Sequence, residues 1–263
     1  MHNDNWGNRA RIGLFIVGVE AVPEAEWWAM APPGVSIHAA RVTANTPWAR
    51  WRADRSGIDL ADDLARGCKQ FAGMRLSAVV LAHTSSSVVG GEGWDEATIA
   101  AMTAILGGGA LVTTNGLDTV AALKAAGLKR PLTVVPPWFP DSTANAALAY
   151  YKARGIEASA HIRMDPGPSW REVPPNEMYP RGLGFEQDVE SLYEQIKSAC
   201  PPQADGVFIG GTGFRCVGII ESLEKELGRP VVTANQASLW RCLQHAGVKD
   251  PIEGYGRLLR SSR

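Results

Sequence analysis

The sequence predicts an α/β protein made of two pseudo-symmetric halves, each built on a parallel β-sheet. Two observations lead to this prediction. Short apolar runs rich in β-branched residues alternate with longer segments of helical periodicity, which is typical of a parallel sheet covered by helices on both faces. In addition, two parts of the chain repeat each other, which indicates duplication of one α/β unit.

The predicted elements follow one another in strand–helix order. Apolar, β-branched runs predict strands at 12–17, 35–42, 77–82, 110–113, 132–135, 157–162, 206–210 and 230–233. Helical periodicity predicts helices at 57–73, 94–106, 117–126, 141–154, 187–199, 214–227 and 236–246. Because nearly every strand is followed by a helix, consecutive strands are expected to be parallel.

The clearest repeat aligns residues 112–131 with residues 232–251. Eight of the 20 aligned positions are identical, and they include the Asn115/Asn235 pair. The segments that precede the two copies also align, 78–86 over 206–214, so that His83 and Gly211 become equivalent. A weaker pairing sets the segment from Arg11 over the segment from Arg130. The repeat predicts a first domain of residues 1–115 plus 235–263 and a second domain of residues 116–234, with a ligand cleft between them.

The composition is that of a globular protein whose partner is a small molecule or another protein. Among its 263 residues, 45% are hydrophobic and 20% are charged, which excludes disorder, collagen and coiled coil as descriptions of the whole chain. Basic residues number 26 and acidic residues 27, so the chain lacks the excess of positive charge expected of a nucleic-acid-binding protein. The apolar run that ends at Glu20 is too short for a signal peptide or a membrane span, and we expect a cytoplasmic protein without membrane association.

Ligands of parallel α/β sheets bind outside the carboxyl ends of the strands, so the residues that follow each strand are the candidates for a site. Many of them are hydroxyl-bearing or small and precede a helix, where backbone N–H groups favour an anion. The alternative is that they are ordinary helix caps. The sequence therefore predicts a carboxylate-binding cleft. The predicted substrate-binding residues are Thr84, Ser85, Ser86, Asn115, Trp138, Gly211, Thr212 and Gly213.

His83 is the predicted catalytic acid/base, because it follows a buried strand and histidine exchanges protons near neutral pH. Glu20 is the first candidate for its carboxylate partner. The alternatives are a structural histidine at a strand end and a solvated loop glutamate. The segment GGTGF lacks the spacing of a dinucleotide fingerprint, and the four cysteines lack metal-ligand spacing, so no cofactor and no metal are predicted.

The order and spacing of several segments resemble the aspartate/glutamate racemase superfamily, and within it the maleate cis-trans isomerase and arylmalonate decarboxylase branch. The segments are RIGLFIVG, LAHTSSS, ALVTTNGLDTVAALKAAGLKRP, ADGVFIGGTGFR and GRPVVTANQASLW. The resemblance implies two Rossmann-like domains, no cofactor and a small carboxylic acid held between them. It also implies a catalytic cysteine at the end of a strand in one or both halves. His83 and Gly211 occupy those two positions here, and Cys216 lies too far along the chain to replace either cysteine.

These observations favour a cofactor-independent lyase or isomerase that acts on a small carboxylic acid, by decarboxylation or by proton-transfer isomerisation, with His83 in place of the cysteine. One alternative is a hydrolase in which His83 activates a water molecule. Another is a non-catalytic carboxylate-binding protein that kept the fold. The sequence leaves open whether the chain forms a homo-oligomer.

Overall fold

The computed structural model describes residues 4–261 and contains two four-stranded parallel sheets and a small hairpin. The strands are β1 (Ala10–Val17), β2 (Val35–Val42), β3 (Ala49–Trp51), β4 (Ile58–Leu60), β5 (Ala78–Leu81), β6 (Leu111–Thr114), β7 (Leu132–Val135), β8 (Ala160–Arg163), β9 (Val207–Ile209) and β10 (Val231–Thr233). All eight predicted strands are present, most within one or two residues of the predicted bounds; β8 starts three residues later than predicted.

The two sheets have the same strand order. The first sheet runs β2-β1-β5-β6, and the second, taken in the equivalent direction, runs β8-β7-β9-β10. Each strand therefore takes the place of its counterpart in the repeat, and every pairing within the two sheets is parallel. The predicted fold class is confirmed.

Twelve α-helices and a short 3-10 helix surround the sheets in the described part of the chain. The helices are α1 (Val22–Met30), α2 (Asp62–Ala72), α3 (Thr84–Val89), α4 (Trp94–Leu106), α5 (Asn115–Ala125), α6 (Asp141–Lys152), α7 (Pro175–Met178), α8 (Leu183–Glu186), α9 (Val189–Ala199), α10 (Ile220–Leu227), α11 (Ala234–His245) and α12 (Gly256–Arg260); the 3-10 helix is Val217–Ile219. Each of the seven predicted helices corresponds to one of these, although their ends differ.

One local prediction needs correction, and α1 is among the five α-helices that no predicted helix covers. The segment 57–73 is not one helix, because Ile58 is buried and β4 pairs antiparallel with β3 before α2 begins at Asp62. Helix α1 was not predicted at all. It starts with Pro23 in its first turn, and its buried face carries Trp27 and Met30.

The cores of the two halves are continuous through one face of the first sheet. Ile12 and Val80 of that sheet belong to the same buried cluster as Leu132, Ile209 and Val232 of the second half. The opposite face of the first sheet has its own cluster beneath α2 and α4. The halves are therefore joined by apolar packing, which fixes the position of one set of strand ends relative to the other.

Helices α5 and α11, which follow the last strand of each sheet, pack against each other between the halves. Helix α11 also contacts α1, whereas α12 packs on α10 and β10 of the second half. The predicted division of the chain into domains, with 235–263 in the first, stays a prediction. Within residues 4–261, no helix is long and apolar enough to cross a membrane.

Candidate functional site

A cavity of about 400 Å³ lies at the carboxyl ends of β1, β5, β7 and β9, between the two sheets. This is the position predicted from the duplicated α/β pattern. Eight of the ten predicted site residues line it: Glu20, His83, Thr84, Ser85, Trp138, Gly211, Thr212 and Gly213. Its other described lining residues are Val17, Val19, Thr46, Phe139, Pro140, Thr143, Asn176, Tyr179 and Pro180, which make the wall largely apolar.

His83 is the residue before α3 and is fixed on two sides. Its Nδ1 shares a hydrogen bond of 2.8 Å with Ser86 Oγ, and that oxygen also accepts the backbone N–H of Trp48 at 3.0 Å. The imidazole stacks on the Trp48 indole with ring centroids 4.2 Å apart and an interplanar angle of 18°. With Nδ1 engaged, Nε2 is the nitrogen available to a ligand. Burial lowers the pKa of His83 to about 3, so the ring is neutral near pH 7.

Glu20 follows β1 and is 7% exposed. Its Oε2 is enclosed and has no hydrogen-bond partner within residues 4–261. The carboxyl group packs on Gly213, where a Cβ atom would collide with Glu20 and would lie 2.9 Å from the Tyr179 ring. Burial raises the pKa of Glu20 to about 8, and nearby Arg41 opposes this by a smaller amount. Glu20 therefore keeps its proton at neutral pH.

The predicted partnership between Glu20 and His83 is corrected by this geometry. The hydrogen-bond partner of His83 in the described structure is Ser86, three residues along the chain. Ser86 is fully buried and does not line the cavity, and its hydroxyl contacts the histidine ring instead. Glu20 and His83 are thus separate titratable groups on the wall of the cavity, each with its own environment.

Asn115 is also absent from the cavity wall. It is fully buried at the start of α5, where its Nδ2 donates to Ala234 O at 2.8 Å and to Ser238 Oγ at 3.0 Å. Its Oδ1 accepts the hydroxyl of Thr84 at 2.7 Å. Asn115 therefore links α5, α11 and α3 and does not line the cavity.

The two threonines of the repeat line the cavity, but their hydroxyl protons are already engaged. Thr84 donates to Asn115, and Thr212 donates to Ala82 O at 3.0 Å, across the interface between the halves. Ser85, which lies beside Thr84 on the wall and is partly exposed, is a better placed hydroxyl for a ligand. That any of these residues binds substrate stays a prediction.

Comparison with known proteins identifies the family of the chain. The family model described as arylmalonate decarboxylase matches residues 54–259, which is most of the chain. The chain belongs to the arylmalonate decarboxylase family. It is also 27% identical to the maleate isomerase of Geobacillus stearothermophilus over 211 residues, covering 79% of this chain and 74% of that protein.

Solved structures related to this family have the same fold. The maleate isomerase Iso of Pseudomonas putida S16, solved as an alanine variant with maleate, superposes with a TM-score of 0.77 at 18% identity, covering 96% of this chain and 98% of that one. An arylmalonate decarboxylase structure gives a TM-score of 0.68 at 20% identity, covering 96% of this chain and 100% of that one. A cysteine-to-serine variant of the Nocardia farcinica maleate cis-trans isomerase, with a covalently bound succinylcysteine intermediate, gives 0.75 at 20% identity, covering 95% and 98%.

Within this arylmalonate decarboxylase family member, the loop at Gly211 is shaped for glycine. The residue has φ +100°, and a Cβ atom there would lie 3.0 Å from Pro136 Cγ. A side chain at this position would therefore be strained. Cys216 is 2% exposed and does not line the cavity. The described residues of the cavity wall therefore include no cysteine.

Sequence reasoning missed the cap formed by residues 164–188. This segment between β8 and α9 contributes Asn176, Tyr179 and Pro180 to the cavity, and Tyr179 packs edge-on against Trp138 with centroids 4.9 Å apart. The one signal in the sequence was the long stretch 163–186 without a predicted strand or helix, since long connections in a compact domain often have a function.

Glu26 of α1 was also missed. Its Oε1 accepts the backbone N–H groups of Cys216 and Val217 at 2.6 and 2.9 Å, and its Oε2 accepts Asn235 Nδ2 at 2.7 Å. Asn235 Nδ2 also donates to Thr212 O at 2.8 Å. A buried carboxyl from the first half thus anchors the segment of the second half that contains Gly211 and Gly213, two residues of the cavity wall.

Proposed function

We propose that this protein is a cofactor-independent lyase or isomerase that moves a proton at the carbon next to a carboxyl group of a small carboxylic acid. The observation that carries the proposal is the cavity at both sets of strand ends, with Glu20 and His83 on its wall. Membership of the arylmalonate decarboxylase family supports the same reaction class. Decarboxylation and isomerisation both need one group that gives or takes this proton.

Glu20 suits the proton transfer better than His83. General acid–base catalysis is most efficient when the pKa of the group lies near the working pH, and the pKa of Glu20 is about 8. The pKa of His83 is about 3, so protonating its ring at pH 7 would cost about 5 kcal/mol. We therefore assign the transferred proton to Glu20.

His83 then acts as a neutral hydrogen-bonding group. Ser86 and Trp48 fix its ring, and Nε2 is left to contact a substrate oxygen on which negative charge develops as the carbon loses CO₂ or passes a proton to the ionised form of Glu20. In a decarboxylation, the electron pair of the broken C–C bond passes to the adjacent carboxyl or carbonyl group. The proton from Glu20 then forms the new C–H bond.

This assignment makes the reaction independent of cysteine. The positions at the strand ends are His83 and Gly211, and burial raises the pKa of the Cys216 thiol well above its usual value, which disfavours the thiolate. The hydrolase alternative is less well supported, since a histidine with a pKa of about 3 is a weak base toward water.

The test is turnover in D₂O, followed by NMR. Acids with one and with two carboxyl groups, including arylmalonic acids, maleic acid and 2-arylpropionic acids, are incubated with the protein. The expected result is incorporation of deuterium at the carbon next to the carboxyl group. Glu20→Gln should abolish incorporation and His83→Asn should reduce it by roughly 10²-fold or more. The control is His161→Asn on β8, outside the cavity wall. Incorporation that persists in both cavity variants would contradict the proposal.

A further inference from the structure

The hydroxyl of Ser86 has one proton to donate, and the partners around it decide where that proton goes. Ser86 Oγ accepts the backbone N–H of Trp48 at 3.0 Å and lies 2.8 Å from Nδ1 of His83. Within residues 4–261 this oxygen has no further hydrogen-bond partner. Because an N–H group only donates, the acceptor for the Ser86 proton is Nδ1 of His83.

The opposite arrangement leaves a buried proton without an acceptor. If Nδ1 carried the ring proton, Ser86 Oγ would accept two N–H groups, and its own proton would find no acceptor among the described residues. Ser86 is fully buried and lies outside the cavity wall, so water in the cavity does not supply one. A buried donor without a partner is costly enough to shift such an equilibrium by roughly tenfold or more. The neutral His83 ring therefore carries its proton on Nε2.

The side of the ring that bears Nδ1 lies against the protein interior. Ser86 and Trp48 are both buried and neither lines the cavity, whereas His83 does. The ring atoms that remain for the cavity are two carbons and Nε2. No described residue forms a hydrogen bond with Nε2. The polar contribution of the imidazole to the cavity is thus an N–H group without a protein acceptor.

Such a donor matters because the cavity offers little else to an anion. None of its described lining residues is lysine or arginine. The hydroxyl protons of Thr84 and Thr212 are already donated to the protein. Burial lowers the pKa of His83 to about 3, so near pH 7 the ring is neutral and contributes a hydrogen bond without a charge.

We propose that Ser86 is a positioning residue that keeps the proton of His83 on Nε2, so that the ring presents a neutral N–H donor to a carboxylate or developing enediolate oxygen of the ligand. The inference rests on the proposed function for the identity of this ligand. It goes further by naming the residue that sets the tautomer. It also excludes His83 as the base, since a protonated Nε2 has no lone pair for a substrate proton, and Ser86 as a nucleophile, since Ser86 is outside the cavity wall.

The experiment is NMR of the full chain with ¹⁵N-labelled histidine at about pH 7, because long-range ¹H–¹⁵N spectra distinguish a protonated ring nitrogen from a bare one. The signals of His83 are identified by their absence in His83→Asn, with His83→Gln as a second variant for the same purpose. The expected result in the wild type is a bare Nδ1 and a protonated Nε2. A protonated Nδ1, an average of both tautomers or a doubly protonated ring would overturn the proposal.

Ser86→Ala removes the donor to Nδ1. Both ring nitrogens should then move to intermediate positions, and deuterium incorporation should fall by roughly tenfold with KM nearly unchanged. The matched control is Ser87→Ala, because Ser87 is the next residue of α3, is also fully buried and accepts the backbone N–H of Gly116 at 3.3 Å. This control should keep the wild-type tautomer and incorporate deuterium within about twofold of the wild-type rate. An unchanged tautomer in Ser86→Ala, or the same change in both variants, would overturn the role of Ser86.

Titration of the wild type with phenylacetate, a probe with one carboxylate, tests the contact with the ligand. On saturation, Nε2 and its proton should shift while Nδ1 stays bare. Binding that shifts Nδ1 and leaves Nε2 unchanged would overturn the proposed contact. These measurements need no Ser86 variant to fold.

The outcomes separate this inference from the proposed function. A proton on Nε2 together with the phenylacetate shift, but no deuterium incorporation into any acid, would contradict the proposed function and leave the role of Ser86 in place. Deuterium incorporation by a wild type with its proton on Nδ1 would support the proposed reaction class and overturn the inference about Ser86.

Discussion

The proton on Glu20 should be measurable in the stability of the ligand-free protein. In the unfolded chain a glutamate loses its proton near its ordinary pKa of 4.5, whereas burial holds the pKa of Glu20 in the folded protein at about 8. Between these values the folded state binds more protons than the unfolded state. The contribution of Glu20 to the free energy of unfolding therefore falls as the pH rises through this window, and it is constant above about pH 8.

The magnitude follows from the width of the window. The interval from 4.5 to about 8, at about 1.4 kcal/mol per pH unit, gives a loss of about 5 kcal/mol as an upper value. Glutamine has the shape of the protonated carboxyl and does not ionise. Glu20→Gln should therefore remove this loss, so that the variant gains stability relative to the wild type by a few kcal/mol between about pH 5 and pH 8.

The assay is urea denaturation of the wild type and of Glu20→Gln at several pH values, followed by far-UV circular dichroism and tryptophan fluorescence to test that the transitions coincide. Other buried groups such as Glu26 titrate in both proteins, and the difference between the two curves isolates Glu20. Glu24→Gln, which removes a partly exposed ion pair with Arg41, should follow the wild-type pH dependence. Parallel curves for the wild type and Glu20→Gln would refute the argument that the carboxyl is held protonated by burial.

Three further predictions concern the site and its neighbours. His83→Asn should lower turnover by roughly 10²-fold or more while phenylacetate affinity changes little, and a fall in affinity with unchanged turnover would contradict the role in the reaction. Thr212→Val should cost about 1–3 kcal/mol in a urea titration, because the buried carbonyl of Ala82 loses its hydrogen bond, and unchanged stability would show that this bond is unimportant. Alkylation with iodoacetamide should modify the partly exposed Cys200, leave the buried Cys216 intact and preserve turnover, as shown by mass spectrometry of the treated enzyme; loss of turnover with modified Cys216 would disprove cysteine independence.

Much of the architecture could be predicted because the signals are local. Apolar, β-branched runs such as 132–135 form strands almost wherever they are packed, and the repeat of 112–131 in 232–251 carried the symmetry of the two sheets. The position of the cavity followed from these two features, since the carboxyl ends of parallel strands lie at one edge of a sheet.

The chemical state of the site depended on residues that are distant in the sequence. Glu20 resembles a solvated loop glutamate until Gly213 and Tyr179 cover it, and that burial changes its pKa from an ordinary value to about 8. His83 is likewise an ordinary histidine until Trp48 stacks on its ring and burial lowers its pKa to about 3. Desolvation depends on the whole enclosure around a group, and no local pattern of residues records it.

The sequence by itself thus determined the strands, their duplication and the edge at which the cavity lies, because hydrophobic periodicity and repeats are properties of neighbouring residues. Tertiary structure alone decided which side chains face the cavity and which face each other. Asn115 and Ser86 follow strands as the cavity residues do, yet the polar side-chain atoms of both form hydrogen bonds to other parts of the protein. The physical reason is that a buried polar group takes whichever partner the packing provides, and that partner is fixed only by the tertiary fold.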